Sequence, residues 1–278
     1  MSYFGVASRI APGAVARQAG RRWLVLPRNS GRRMDNRPSP GTVERVPGDH
    51  GALTVESWGP VDGPVVYLVH GWGGWHGQLG AFVEPLVADG CRVIGFDAAS
   101  HGSSAPGEYG PRHSCGPEML RSLQAVARHY GPAHGVIAHS LGCAVACAAI
   151  VGGGLSTRKL ALVSPNPDVG ELLAWYGRTL RLAPRCRAAL VPVIEAISHS
   201  SVAEFDWTVL VSTGRLPDAL VIHDRLDKEV RYEATRQTVA NWPGARLMTT
   251  RGLGHHRILR DPDVVAEVAK EMSLRATS

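Results

Sequence analysis

The feature that most constrains this chain is a series of short, mostly apolar segments alternating with helical ones. Val65–Val69, Arg92–Phe96, Gly135–Ala138, Leu160–Val163, Ala219–His223 and Arg246–Thr249 read as strands. Between and after them, Leu79–Ala88, Glu118–Tyr130, Leu141–Val151 and Pro262–Met272 read as helices. Strands without a polar face need cover on both sides, which is the situation of a parallel sheet. The predicted class is therefore α/β, a mostly parallel sheet with helices on both faces. Two earlier strand-like runs, Thr42–Val46 and Ala52–Trp58, flank a Pro47-Gly48-Asp49-His50-Gly51 turn.

Two stretches depart from the alternation. From Pro165 to Trp207 the pattern is helical with no strand, as expected of a helical cap inserted at about 165–207. Residues 1–41 form a basic N-terminal extension, with helical periodicity over residues 5–26 and a Pro/Gly/Arg-rich linker from Pro27 to Gly41. Residues 42–278 then make up the main domain, cap included.

Charge follows the same division. Residues 1–45 hold nine arginines against Asp35 and Glu44, a balance of +7, so the rest of the chain carries −1 of the net +6. A basic leader of this kind fits an anionic membrane surface. A solvated extension is the favoured expectation, with its removal leaving activity nearly unchanged. Nucleic acid is set aside, because no stacking aromatics are interleaved with the arginines and no binding module is present. Ile10–Leu26 is interrupted by Arg, Gln and Gly, so it forms no secretory core. Its acid-poor composition is also that of an organelle transit peptide. No apolar run approaches the ~20 residues of a membrane span. Cys91, Cys115, Cys143, Cys147 and Cys186 form an odd set without a C-x-x-C pair. Buried thiols and a cytoplasmic location are therefore expected.

Chemistry is concentrated in Val136-Ile137-Ala138-His139-Ser140-Leu141-Gly142, where a strand runs directly into a helix. A hydroxyl on such a turn is exposed above the sheet, and small neighbours let the backbones approach. The helix N-terminus adds positive potential where an oxyanion would develop. This stretch resembles the nucleophile elbow, G-x-S-x-G, of the α/β-hydrolase family, with Ala138 in place of the first Gly. His70-Gly71-Trp72-Gly73-Gly74 resembles the family's H-G-x loop, and Asp97-Ala98-Ala99-Ser100-His101-Gly102 is similar to its D-x-P-G-H-G segment, with Ala99-Ser100 in place of Pro-Gly. Gly252-Leu253-Gly254-His255 resembles its G-x-G-H segment, and His223-Asp224-Arg225-Leu226-Asp227 its H-D-x-x-D turn.

The resemblance spans about Thr42 to Met272 and implies an eight-stranded α/β-hydrolase sheet. It implies Ser140 as nucleophile, His255 as general base and Asp227 as the acid, with the backbone N–H groups of Trp72 and Leu141 as oxyanion hole. Asp224 and Asp168 compete for the acid role, and His256, the other candidate base, is expected to support His255 or to pack on the following helix. His70, Asp97 and His101 are expected to brace loops. The reaction implied is hydrolysis of a carboxylic ester through an acyl-enzyme, with a small-molecule acyl substrate. No cofactor is required, and no cluster has metal-ligand spacing. Hydrolysis of C–C, thioester, lactone or amide bonds uses the same triad, as does a cofactor-free haloperoxidase or lyase. A non-catalytic ligand-binding member is the alternative from another class, although such a chain would be expected to have lost one of the three residues. A dehalogenase is disfavoured, because its nucleophile would be an Asp at position 140. The cap and the side chains near Trp72, Trp75 and Leu141 are expected to shape the substrate pocket.

Overall fold

The computed structural model describes residues 3–27, 34–166 and 168–274. The chain opens with α1 (Tyr3–Ile10) and α2 (Pro12–Trp23), then β1 (Thr42–Pro47), β2 (Ala52–Trp58) and β3 (Val65–Val69). Next come α3 (Val83–Ala88), β4 (Arg92–Phe96), α4 (Gly116–Tyr130), β5 (Ala133–His139), α5 (Leu141–Val151) and β6 (Thr157–Val163). Helices α6 (Val169–Thr179), α7 (Pro184–Ala188), α8 (Leu190–Ser198) and α9 (Trp207–Ser212) precede β7 (Ala219–Asp224). The chain closes with α10 (Tyr232–Ala240), β8 (Ala245–Thr250), α11 (Gly254–Arg257) and α12 (Pro262–Met272).

The eight strands form one sheet in the order β1-β2-β4-β3-β5-β6-β7-β8. β1 pairs antiparallel with β2, and β2 antiparallel with β4; every later pairing is parallel. Apolar layers lie on opposite faces. Met119, Leu123 and Val126 of α4 pack with the buried face of α5 on one side. Phe82, Leu86, Val264, Val268 and Met272, from α3 and α12 and the turn before α3, pack on the other. α5 is apolar on nearly every side, as a helix enclosed between sheet and neighbouring helices must be.

The strand order reverses around β3. After β3 the chain adds β4 on one side, then crosses to place β5 on the other. In open α/β sheets this topological switch point leaves a crevice at the carboxyl ends of the strands. The loop carrying Trp72 leaves β3 at that point, and Ser140 leaves β5 beside it.

Three expectations need correction. Leu79–Ala88 is not one helix: a 3-10 segment covers His76–Phe82 and α3 starts only at Val83. Gly77 and Gly80 weaken an α-helix there, and a Cβ on Gly80 would collide with the backbone of Arg37. The helical stretch expected over residues 5–26 breaks at Ala11, whose backbone (φ −133°, ψ 65°) is non-helical because Pro12 follows it. The leader is also not a solvated extension. Val15, Ala16 and Ala19 of α2 are buried against Leu182, Cys186 and Leu190. A Cβ on Gly20 would lie 2.7 Å from Val193 Cγ1, so the small residues of α2 let it lie flush on α8. The expected linker Pro27–Gly41 lies in part outside the described residues.

Candidate active site

Ser140 sits between the last residue of β5 and the first of α5, with φ 53° and ψ −124°. That is a sparsely populated backbone for a residue with a Cβ, held only when the surroundings over-determine it. They do so here. Ser140 N–H donates to Val163 O at 3.0 Å, and Cys143 N–H donates to Ser140 O at 3.0 Å. The turn also presses on the loop after β3. A Cβ on Gly142 would stand 2.5 Å from His70 O, and one on Gly71 would stand 2.9 Å from Ser140 Cβ. Ala138, by contrast, is fully buried in β5 without a left-handed backbone.

On the α5 side, Leu141 is in the first turn, where backbone N–H groups have no intrahelical acceptor. On the loop side, Gly73 takes φ 66° and Gly74 N–H donates to Gly71 O at 3.0 Å, closing a turn around Trp72. Ser140, Trp72 and Leu141 line one cavity of about 290 Å³.

His255 lies on α11, just beyond β8 and the Gly252 turn. Its Nδ1 is 2.7 Å from Asp227 Oδ2, with both side chains buried. The other carboxylate oxygen of Asp227 accepts N–H bonds from Glu229 at 2.8 Å and Val230 at 3.0 Å. His223 Nε2 approaches Oδ2 to 3.3 Å, a close polar contact off the hydrogen-bonding line. Burial pushes the Asp227 carboxyl up, but the imidazoles of His223 and His255 outweigh it and hold it well below the usual carboxylate range. His223 is itself anchored, with Nδ1 2.7 Å from Thr235 Oγ1.

The competing acids are engaged elsewhere. Asp224 accepts hydrogen bonds from the N–H groups of Leu226, Gly252 and Leu253 and from Thr250 Oγ1, at 2.8, 3.2, 2.9 and 2.8 Å. It braces the turns after β7 and β8. Asp168 caps α6 by accepting from Glu171 N–H at 3.0 Å. His256 is half-buried beside His255, with Nε2 3.1 Å from Glu229 Oε1, a pairing that raises its pKa.

The loop histidines divide the bracing. Ala98 N–H donates to His70 Nε2 at 3.0 Å, while His70 Nδ1 donates to Gly71 O at 2.8 Å. Burial lowers His101 to about 3, so it is neutral; its Nδ1 donates to Ala99 O at 3.0 Å. Asp97 accepts from Ser103 N–H at 2.8 Å and from both the backbone N–H and Nδ1 of His76, at 3.0 and 2.8 Å.

Sequence reasoning missed four contributors. His139 Nε2 donates to the backbone oxygen of His255 at 2.9 Å, tying the residue before Ser140 to α11. Its place beside the serine was visible, but not its partner 116 residues on. His223 was visible within the H-D-x-x-D turn, and nothing local pointed it toward Asp227. Trp23 and Leu24 line the cavity although they lie in the leader.

The sequence model of the alpha/beta hydrolase family matches residues 66–268. The chain belongs to this family. Among solved structures it is similar to the esterase RhEst1 from Rhodococcus sp. ECU1013, with 19% identity over 84% of this chain and 98% of that one and a TM-score of 0.60. A thermophilic esterase from Thermogutta terrifontis gives 19% identity, coverage of 83% and 97%, and a TM-score of 0.60. The 2-hydroxy-6-oxo-6-phenylhexa-2,4-dienoate hydrolase from Rhodococcus sp. strain RHA1 gives 20%, 83% and 99%, and 0.58. At these identities the likeness is one of fold. No curated protein sequence matches significantly.

Proposed function

We propose that the protein is a serine hydrolase acting on a neutral carboxylic ester, with Ser140 as nucleophile, His255 as general base and Asp227 as its acid. Asp227 holds the Nδ1–H tautomer of His255, which leaves Nε2 free to take the Ser140 proton. Ser140 Oγ forms the bond to the ester carbonyl carbon as that proton moves to His255. The N–H groups of Trp72 and Leu141 hold the oxyanion, each worth ~3 kcal/mol or more to the transition state. The C–O bond then breaks, and the alcohol leaves with the proton from His255. Water, deprotonated by the same imidazole, attacks the acyl-enzyme and releases the acid.

The observation that carries this reading is the strained backbone of Ser140, held at φ 53° on the floor of a cavity. A structural serine capping a helix has no need of that conformation, whereas a nucleophile presented above the sheet does. The cavity favours neutral esters over a dienoate, the substrate class named for one of the structural neighbours. A dienoate carries a carboxylate, and among the described residues no charged side chain lines the cavity. The test is a panel of acyl esters, thioesters, lactones, amides and a carboxylate-bearing dienoate compared by kcat/KM. Highest values for neutral esters are expected; a preference for the dienoate would contradict the reading.

A further inference from the structure

The cavity above Ser140 is not closed by the α/β core and the α6–α9 helices alone. Trp23 and Leu24, at the end of α2, form part of its wall together with Trp72, Leu141, Ile194 and Phe205. Leu24 is buried among Cys115, Leu173 and Ile194, and Trp23 meets the Tyr176 ring edge-on with centroids 5.0 Å apart.

The segment carrying them is fastened at both ends. On one side it is bound to the helices between β6 and β7. Tyr176 Oη donates to Ala19 O at 3.1 Å, and Ala183 N–H donates to Ser8 Oγ at 2.9 Å. On the other side its backbone runs antiparallel to the loop before α4, where Val25 bridges His113. Leu26 N–H donates to Arg112 O at 2.8 Å, and Ser114 N–H donates to Leu24 O at 3.0 Å. The leader is thus a strap from the α6–α8 helices to the α/β core, and its middle faces the cavity.

The lining defines what the chamber accepts. Apart from that of Ser140, the serine hydroxyls in it are used within the inserted segment: Ser198 Oγ donates to Ser200 O at 3.3 Å, Ser200 Oγ to Glu204 at 2.8 Å and Ser201 Oγ to Glu195 at 2.9 Å. Apolar side chains dominate the rest. The volume of about 290 Å³ lies at the small end of small-molecule sites.

We propose that Trp23 and Leu24 make the N-terminal strap a wall of the acyl-binding site, so that it sets the length of the acyl chain accepted. The preferred acyl groups are neutral, apolar and short to medium in chain. The proposal rests on the hydrolase reading above and adds to it the substrate class and the residues that select it.

The test uses the full chain and p-nitrophenyl esters from butanoate to dodecanoate. Trp23→Ala enlarges the chamber and Leu24→Phe narrows it. Discrimination by an apolar pocket is steep, so the dodecanoate-to-butanoate ratio of kcat/KM is expected to rise about tenfold or more in the first variant and to fall in the second. Trp23→Leu, which keeps an apolar contact with Tyr176, replaces Trp23→Ala if the latter melts without cooperativity. Unchanged ratios in variants that melt cooperatively overturn the proposal and leave the hydrolase reading standing. A wild type that hydrolyses no ester and takes no fluorophosphonate at Ser140 overturns both.

Discussion

His255 Nδ1 stands 2.7 Å from Asp227 Oδ2, and the other oxygen of that carboxylate is pinned by the N–H groups of Glu229 and Val230. With both oxygens engaged, the carboxylate cannot rotate away, so the imidazole is held in one orientation. Asp227→Asn keeps the shape but favours the wrong tautomer of His255. It is expected to lower kcat/KM by ~10⁴-fold with little change in melting temperature. Asp224→Asn should do the reverse, because Asp224 accepts four hydrogen bonds that join two turns. Its stability loss should be about 1–3 kcal/mol by denaturant titration. Equal activity losses in the two variants would contradict this division of labour.

Much of this arrangement was legible because the relevant signals are local. The strand-to-helix junction at Ser140, the Gly-rich turn at Trp72 and the turns bearing Asp227 and His255 are each written in a few adjacent residues. The leader was not legible in the same way. Its Arg-rich surface reads as solvated, whereas the stripe of Val15, Ala16, Ala19 and Gly20 that buries it is small and weakly hydrophobic. Small residues carry little burial signal, but they allow the closest helix approach. The roles of His139 and His223 depend on partners that only the folded sheet brings near.

The contrast between Gly142 and Ala138 tests the elbow itself. A methyl at position 142 meets His70 O at 2.5 Å, a backbone atom that cannot move aside without shifting the loop. Gly142→Ala is expected to cost about 3 kcal/mol and most of the activity. Ala138→Gly should cost about 0.5–1 kcal/mol through backbone entropy and keep turnover, since this position needs no left-handed backbone. Thermal melts and ester turnover on both variants decide the point.

His139 donates to His255 O at 2.9 Å and so fixes the backbone of the imidazole relative to Ser140. His139→Phe fills the space without the donor. A displaced base can cost ~10²-fold in kcat/KM. The loss should appear in kcat more than in KM, because the group touches no substrate. A change confined to KM would contradict the positioning role.

The pH dependence of stability should carry the mark of a buried cluster away from the site. His76 lies between Asp97 and Glu56, 2.8 Å from each, and Arg37 pairs with Glu56 at 2.7 Å. Burial pulls His76 down, but Asp97 and Glu56 outweigh it and raise it above its ordinary 6.5. Its contribution is therefore complete below 6.5 and is lost as pH rises through the raised value. Asp97 is lowered to about 2, so its contribution holds above 3.8 and fades only as pH falls toward 2. The melting temperature should decline on the alkaline side, and His76→Asn should flatten that decline while lowering the whole curve. An alkaline decline of the same steepness in His76→Asn would show that other groups cause it.

Labelling by a fluorophosphonate asks whether Ser140 is the nucleophile. Peptide mapping of the modified, folded protein should place a single adduct on Ser140, with turnover lost in proportion to labelling and no labelling of Ser140→Ala. An adduct on another residue, or ester turnover retained by Ser140→Ala, would place the nucleophile elsewhere.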